Sequence, residues 1–508
     1  MAAAIIFLLV FSSAIAWSAG AWVVERFGQI KFWIILEHIT ESPRVLPVSD
    51  LWLLIGLIAF SLALAALISA AFVVLKKTVL ARYGRMASCV VSAVFVSAMI
   101  YESYGVFEQL DGWFSIRFEI NCRRVRSAYF AKNLHCVEPT CVTFRSARRN
   151  LIVIVSESLE EGFTEGVLCG ENLLPELTEW RNGALHFNCQ VMVDGASFTS
   201  AALTSMMYGI PRHQLNADKN LMSYPKYSVP SIWDVFLANG YNCMFVHGGD
   251  FEFGSIGRLL PEHEHFKRIG YDDLKNEPDF LRERNPPRFG INDEVLFTRL
   301  KIETERLARA DKPFALMTIT TNSHGPEGWR SAFAEPSGRG ILADSILTQD
   351  RLISGYIKWL KAKGYDQNTV IVVLGDHHYW GREWRGKSAR RVFNAVEVPK
   401  SASLPTLRNR PFATFDWAPT FIELAGGELP GEGRFGMGVS LLRETTTLME
   451  TVAVEDFNRE MQSSLTDYRK LVFLLGVREK IRARAQYVFD RTAGRLYQTA
   501  EEFGRVCR

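Results

Sequence analysis

A threonine and a serine stand at the start of an apolar helical segment in the stretch 195–211, which runs GASFTSAALTSMMYGIP. Good helix formers follow them, and Gly209 and Pro211 end the segment. Thr199 and Ser200 therefore lie where a loop enters a helix, and free N–H groups and the helix dipole favour a bound phosphate or sulfate there. A hydroxyl at this place can attack phosphorus, although for this stretch alone a Ser/Thr helix cap is the simpler interpretation.

Side chains that bind metals or phosphate follow four predicted strands. The strands are predicted from short apolar runs at residues 151–155, 242–246, 314–320 and 369–374. The side chains after them are Glu157, His247, His324, Asp376 and His377. Open α/β sheets bind ligands beyond the carboxyl ends of their strands, so these side chains are expected to converge. One polar residue after a strand is weak evidence for a functional site, because an aspartate there often caps the next helix. Four strands that end in this way around one hydroxyl predict a functional cluster.

Glu157, Asp376, His377 and the Thr199 hydroxyl together offer oxygen and nitrogen ligands. Such a set suits one divalent ion, Mn²⁺, Mg²⁺ or Zn²⁺. Because a threonine alone is a poor nucleophile near neutral pH, the ion would activate its hydroxyl and shield the phosphate charge. His324 and the N–H groups of the helix start would hold phosphate oxygens. The predicted reaction has two steps: Thr199 attacks and expels an alcohol, and an acceptor then takes the phosphoryl group.

The elements that must position these residues alternate between strands and helices. Helices are predicted before the second, third and fourth strands, at residues 229–239, 293–308 and 343–364. This alternation predicts an α/β domain over residues 148–508, with a largely parallel central sheet flanked by helices.

Three apolar runs precede this domain, at residues 2–24, 51–75 and 86–107. Each is long enough to cross a bilayer, so residues 1–107 are predicted to be a multi-pass region of three transmembrane helices. The first run is also compatible with a cleaved signal peptide, but it is long and lacks a basic front end.

Basic residues set the predicted orientation. The loop between the second and third runs carries four of them and no acid, namely Lys76, Lys77, Arg82 and Arg85. The positive-inside tendency places this loop in the cytoplasm, and hence the catalytic domain outside the cytoplasmic membrane. Residues 108–147 are predicted to be a basic juxtamembrane linker. Its arginines from Arg117 to Arg126 favour a segment that lies on anionic headgroups, with a solvated linker as the alternative. The formal net charge of +3 does not suggest a nucleic-acid partner.

In their order along the chain, these motifs resemble the alkaline phosphatase superfamily. Within it, the resemblance is to membrane-bound phosphoglycerol transferases that modify periplasmic glucans and to the related lipoteichoic acid synthases, which carry a sulfatase-type domain. The matching segments are NLIVIVSESLEEGF (150–163), GASFTSAALTSMMYGIP (195–211), FVHGGDFEFG (245–254), FGINDEVLF (289–297), MTITTNSHGP (317–326), NTVIVVLGDHH (368–378) and ATFDWAPTFIELAGG (413–427). The ordered set, which covers about residues 148–430, is specific, whereas each motif alone is not.

The resemblance implies a role for individual residues. It makes Thr199 the catalytic nucleophile and also a metal ligand. The metal ligands that it implies are Glu157, Thr199, Asp376 and His377, and the substrate-binding residues are His324, His247, Asp250 and Arg258. The family's headgroup-binding stretch falls near Asp250–Arg258, and this chain carries an insertion between Phe253 and Gly270. Sulfatases share the fold but build their nucleophile from Cys or Ser followed by Pro and Arg, and the segment TSAAL (199–203) has neither partner.

The resemblance thus predicts an enzyme of the bacterial inner membrane that moves phosphoglycerol from phosphatidylglycerol to a glycan on the periplasmic side, through a phosphothreonine. The first alternative is a phosphoethanolamine transferase that acts on a glycan or on lipid A. The second is a membrane sensor that keeps the fold without the chemistry. The Glu157, Thr199, Asp376 and His377 set argues against the sensor.

Overall fold

The structure is a computed structural model of the chain. It describes residues 2–27, 48–114, 126–144, 148–168, 170–212, 227–282, 290–325, 327–331, 333–380, 390–400, 409–472, 488–489 and 496–497. The chain divides into two compact units, Met1–Asn121 and Cys122–Arg508. The arginines of the predicted headgroup-binding segment lie outside the described residues, apart from Arg126.

Two long apolar helices, α1 (Ala2–Phe27) and α2 (Val48–Phe114), form the described part of the first unit. Both are long and apolar enough to cross a membrane, over Ala2–Glu25 and Ile55–Asp111. Only 11% and 17% of the residues in their most apolar windows are buried. A core helix of a soluble protein would bury most of such a window, so these exposed apolar surfaces favour contact with lipid.

Helix α2 is interrupted at Gly84, whose φ of 83° is readily adopted only by glycine. Phe72 and Phe95 lie on either side of the break with ring centroids 5.2 Å apart, whereas an unbroken helix would separate these positions by about 35 Å. The chain therefore folds back at Gly84, and the second and third predicted spans are the two arms of one hairpin. The sequence predicts a loop between these two spans, but the chain stays helical up to Gly84. No longer loop is needed, because one residue with positive φ is enough to reverse the direction of the chain. The number of membrane crossings remains a prediction.

The second unit is built on a six-stranded sheet. The described strands of this unit are β1 (Asn150–Ser156), β2 (Gln190–Val191), β3 (Asn242–His247), β4 (Phe266–Ile269), β5 (Phe314–Ile319), β6 (Thr369–Gly375), β7 (Asn394–Glu397), β8 (Phe412–Ala413), β9 (Arg434–Phe435), β10 (Gly438–Val439), β11 (Val488–Phe489) and β12 (Leu496–Tyr497). The large sheet has the order β4-β3-β5-β1-β6-β7. All its neighbours pair in parallel except β6 and β7. The predicted α/β class and the largely parallel sheet are confirmed.

Both faces of this sheet are covered, which explains the unbroken apolar runs of its strands. Along β1, Val153 and Val155 pack into the apolar core on one face, and Ile152 and Ile154 pack into the core on the other. A strand with one solvated face would instead alternate apolar and polar residues.

Helices supply these two layers. The described helices of the second unit are α3 (Tyr129–Asn133), α4 (Pro175–Asn182), α5 (Thr199–Tyr208), α6 (Ile232–Ala238), α7 (Tyr271–Leu274), α8 (Pro278–Leu281), α9 (Asp293–Ala308), α10 (Ile341–Ala362), α11 (Trp417–Leu424), α12 (Pro430–Gly433), α13 (Val454–Ser463) and α14 (Leu465–Val472). The predicted helices at 229–239, 293–308 and 343–364 correspond to α6, α9 and α10.

The described second half of the predicted linker packs into the second unit. Phe130 is fully buried, and its ring centroid lies 4.7 Å from that of Tyr468. The backbone of His135 pairs with Gly436. Residues 126–144 thus contribute core and backbone contacts to the second unit, because other segments of that unit cover their apolar side chains.

Candidate active site

The carboxyl ends of β1 and β6 bring two acidic side chains together. The strands pair with Ser156 opposite Gly375, so Glu157 and Asp376 leave the sheet side by side. Both residues are buried. Ser158 connects them, because its N–H donates to Asp376 Oδ1 at 2.7 Å and its hydroxyl donates to Glu157 Oε1 at 2.7 Å.

Ser158 makes both contacts from a left-handed backbone conformation with φ of 54°. Such a conformation is uncommon outside glycine and costs about 1–3 kcal/mol, so the surrounding structure must hold it in place. Here the two carboxylates provide that hold.

Thr199 enters the same cluster as the first residue of α5, directly after the N-cap residue Phe198. Its hydroxyl donates to Glu157 Oε2 at 2.9 Å, and its Oγ1 lies 3.3 Å from His377 Nε2. The unpaired N–H groups and the positive dipole end of α5 are therefore directed at the cluster. The structure brings all four sequence-predicted metal ligands together.

The orientation of His377 is set by its own loop. Its Nδ1 lies 2.8 Å from the carbonyl oxygen of His378. Because a carbonyl only accepts, Nδ1 carries the proton and Nε2 of the neutral ring presents a lone pair. Nε2 lies 3.4 Å from Glu157 Oε1 and 3.3 Å from Asp376 Oδ2. His378, whose role the sequence does not indicate, thus acts through its backbone.

Burial and the charges of neighbouring side chains shift the pKa values of Glu157, Asp376 and His377. Burial opposes ionisation of Glu157, but His377 and His324, with hydrogen bonds from Ser158 and Thr199, hold its pKa below the ordinary value. Burial and the Glu157 carboxylate raise the pKa of Asp376. Burial also opposes the charged form of His377, but the two carboxylates outweigh it and raise that pKa. The cluster is an acidic site that attracts positive charge.

The residues present fit a divalent metal ion. Glu157, Asp376 and His377 each offer a ligand atom, and these atoms lie within 4.8 Å of one another. Asp376 Oδ2 is buried and has no hydrogen-bond partner among the described residues, which is costly for a carboxylate oxygen unless a cation pairs with it. Two carboxylates and an imidazole match the preferences of Mn²⁺, Mg²⁺ and Zn²⁺.

His247 and His324 follow the neighbouring strands and flank the cluster. His247 is the last residue of β3 and is buried, and burial lowers its pKa to about 4, so its imidazole is neutral at pH 7. His324 follows β5, and its electrostatic influence lowers the pKa of Glu157. Both histidines lie at or just after the carboxyl ends of their strands, as the sequence predicts. Their contact with substrate remains a prediction.

Asp250 and Arg258 lie in the loop after β3. The exposed Asp250 accepts a hydrogen bond from the Glu252 N–H at 2.9 Å and so shapes the loop locally. Arg258 is half-buried in the 3₁₀ turn Phe253–Leu259. Their assignment to substrate binding remains a prediction.

Arg212 follows the GIP end of the helical segment, and the sequence motifs give it no role. It is buried, and its Nη1 contacts Ser200 Oγ and donates to the Gly254 carbonyl at 3.3 Å. It thereby ties the loop after β3 to the start of α5. A lone arginine after a proline carries no signal of burial, so only the structure identifies it.

Together, the sheet and the cluster at its edge define an α/β domain of the sulfatase and alkaline phosphatase superfamily. The family model described as Sulfatase matches residues 149–427, which is more than half of the chain, and the chain belongs to this family.

Curated relatives include several proteins named phosphoglycerol transferase I. The one from Xanthomonas campestris pv. campestris (strain B100) is 26% identical over 345 residues, covering 64% of this chain and 47% of the relative. The one from Salmonella arizonae is 25% identical over 353 residues, covering 65% of this chain and 45% of the relative. The chain thus spans about half the length of these relatives.

Among solved structures, the integral membrane protein lipooligosaccharide phosphoethanolamine transferase A from Neisseria meningitidis is similar in fold. It aligns with a TM-score of 0.50 and 15% sequence identity, covering 84% of each chain. At this identity the similarity concerns the fold alone.

Proposed function

We propose that this chain is a membrane-bound, metal-dependent phosphotransferase that moves phosphoglycerol from phosphatidylglycerol to a glycan. The observation that carries this proposal is the position of the Thr199 hydroxyl at the start of α5, 2.9 Å from Glu157 Oε2 and 3.3 Å from His377 Nε2. A phosphate held at the start of α5 would lie beside this hydroxyl, and the Glu157 carboxylate lies next to the hydroxyl proton. The names of the two phosphoglycerol transferase relatives support the choice of group.

In the first step, Thr199 Oγ1 forms a bond to phosphorus and the bond from phosphorus to the diacylglycerol oxygen breaks. The Thr199 proton, which points to Glu157 Oε2, passes by way of this carboxylate to the diacylglycerol oxygen, so diacylglycerol leaves as an alcohol. In the second step an acceptor hydroxyl attacks the same phosphorus, the bond from phosphorus to Thr199 Oγ1 breaks, and the acceptor's proton returns to Thr199 Oγ1. The N–H groups of α5 hold the non-bridging oxygens in both steps.

A divalent ion bound by Glu157, Thr199, Asp376 and His377 would supply Lewis-acid chemistry, which lowers the pKa of the nucleophile and offsets phosphate charge. His377 would offer Nε2, because its Nδ1 is engaged by the His378 carbonyl. Ser158 would hold the two carboxylates in place through its N–H and hydroxyl.

The nucleophile segment favours phosphoryl transfer over sulfate-ester hydrolysis. Thr199 is followed by Ser200 and Ala201, so the chain lacks the Pro and Arg that sulfatases place after their Cys or Ser. The Thr199 oxygen itself is then the atom that attacks.

The donor is tested by mass spectrometry of the covalent intermediate. Purified protein is incubated with labelled phosphatidylglycerol or phosphatidylethanolamine, without acceptor, and the peptide that carries Thr199 is mapped. We expect a glycerophosphate adduct and released diacylglycerol with phosphatidylglycerol only. An adduct formed only from phosphatidylethanolamine would contradict the donor assignment and support the phosphoethanolamine alternative. No adduct from either lipid, in a protein that binds metal, would favour the sensor.

We also propose that the catalytic domain faces the periplasm from the inner membrane. The basic residues that flank the break at Gly84, among them Lys77, Arg82 and Arg85, support a cytoplasmic position for the turn of the hairpin. Protease added to intact spheroplasts is expected to degrade the domain after residue 126. Complete protection, with degradation after lysis, would reverse the orientation.

A further inference from the structure

Gln349 lies in a buried hydrogen-bond network directly beneath the cluster. It is a fully buried residue of α10. Its Nε2 donates to Thr320 Oγ1 at 2.8 Å and to Ser323 Oγ at 2.6 Å, and its Oε1 accepts from the Ser156 hydroxyl at 3.2 Å. Every hydrogen of its amide nitrogen is thus used.

The two hydroxyls that Gln349 holds are the ones that hold the backbone of Glu157. The Glu157 N–H donates to Thr320 Oγ1 at 3.0 Å, and the Ser323 hydroxyl donates to the Glu157 carbonyl. The Gln349 side chain therefore completes a closed ring of hydrogen bonds that includes the N–H and the carbonyl of Glu157. The Glu157 carboxylate in turn accepts from Thr199 and lies beside His377.

We infer that Gln349 is a positioning residue that fixes the backbone of Glu157, and through it the carboxylate offered to the metal ion and to Thr199. The inference rests on the proposed function. It explains why a long polar side chain is fully buried in α10, between the turns that carry Ile346 and Ile353 into the apolar core.

The chemistry of the amide decides the direction of each hydrogen bond. Because the Glu157 carbonyl only accepts, the Ser323 hydroxyl uses its one proton there, and its oxygen accepts from the Gln349 amide. A carboxylate at position 349 would demand the Ser323 proton for itself and break this link. An apolar residue would remove the acceptor of the buried Ser156 hydroxyl and the shared donor that holds Thr320 Oγ1 and Ser323 Oγ together, so the backbone of Glu157 would be held less firmly.

The backbone of α10 is pinned beside this side chain. The Asp350 carboxylate accepts from the N–H groups of Glu176 and Leu177 at 3.1 and 2.8 Å, at the start of α4. These hydrogen bonds fix α10 against α4. The Gln349 amide therefore donates to Thr320 and Ser323 from a fixed position.

The test compares two buried glutamines that receive the same substitution. Gln190 is a matched control, because it is also buried and bonded on both sides, donating to Thr414 Oγ1 at 3.2 Å and accepting from Trp417 Nε1 at 3.3 Å. Q349M is expected to weaken Mn²⁺ binding by about 10–100-fold, as loss of a residue that orients a ligand does. Q190M should lower the thermal midpoint but leave the Mn²⁺ affinity unchanged. Binding is measured by titration calorimetry on the full chain in detergent, without lipid.

A second pair keeps the inference testable if Q349M does not fold. T320V removes the acceptor of the Glu157 N–H at nearly constant shape, and T320S restores it. We expect T320V to weaken Mn²⁺ binding and to lower kcat at unchanged KM for the lipid, and T320S to recover both. Equal Mn²⁺ affinity in wild type, Q349M and T320V would overturn the role of Gln349. Failure of the wild-type chain to bind any divalent ion would overturn the proposed metal site itself, which is a separate result.

Discussion

Replacing Thr199 with alanine is expected to abolish transfer, with a loss of about 10⁴-fold or more, since removal of a nucleophile has effects of this size. Fold and membrane insertion should survive. The N-cap position belongs to Phe198, so the Thr199 hydroxyl does not cap α5, and alanine is a good helix former. The measurement is turnover of labelled phosphatidylglycerol by purified protein, with the thermal midpoint recorded on the same samples.

The neighbouring hydroxyls provide the controls. S197A and S200A each remove one hydroxyl from the same loop or helix start and leave Thr199 in place. T199S should keep part of the activity, because the attacking oxygen remains. An active T199A protein together with an inactive S200A protein would move the nucleophile to Ser200.

Removal of metal is expected to give the second large loss. Activity should disappear in chelator and return to different extents with Mn²⁺, Mg²⁺ or Zn²⁺, because the donors are oxygens and a nitrogen without a thiolate. Elemental analysis confirms that the metal has left and returned. Full activity in a sample that is shown to be free of metal would contradict the proposed mechanism.

A matched pair of aspartates separates the metal site from general stability. Asp376 and Asp416 are both fully buried, and each accepts backbone hydrogen bonds, from Ser158 and His377 in the first case and from Ala413 and Val439 in the second. D376N should weaken Mn²⁺ binding by more than about 100-fold. Loss of a residue that only orients a metal ligand costs about 10–100-fold, and loss of the ligand itself should cost more. D416N should leave that affinity unchanged. Equal effects of the two substitutions would assign the loss to destabilisation.

The local pattern of the chain was sufficient to predict the class of fold. Runs such as 151–155 and 369–374 are apolar without interruption because β1 and β6 are covered on both faces, and this is a local property of sequence. The helix at 293–308 was predicted with its observed bounds. The cluster around Glu157 and Asp376 was predictable because polar residues after buried strands meet at one edge of a parallel sheet.

Other features were decided only by the tertiary structure. The hairpin break depends on one glycine and on contacts such as that between Phe72 and Phe95, which composition does not report. Residues 126–144 look like a polar linker until Phe130 is seen against Tyr468.

By itself, the sequence determined four of the six strands of the central sheet, β1, β3, β5 and β6, together with the order of the motifs and the residue types gathered at the sheet edge, because burial and periodicity leave local traces. The strand order, with β1 between β5 and β6, decided which of these residues meet. That order places Gln349, Thr320 and Ser323 around Glu157, from segments more than 150 residues away from it in the chain. A glutamine inside an amphipathic helix carries no local sign of such contacts, since a hydrogen bond depends on the position of both partners in space.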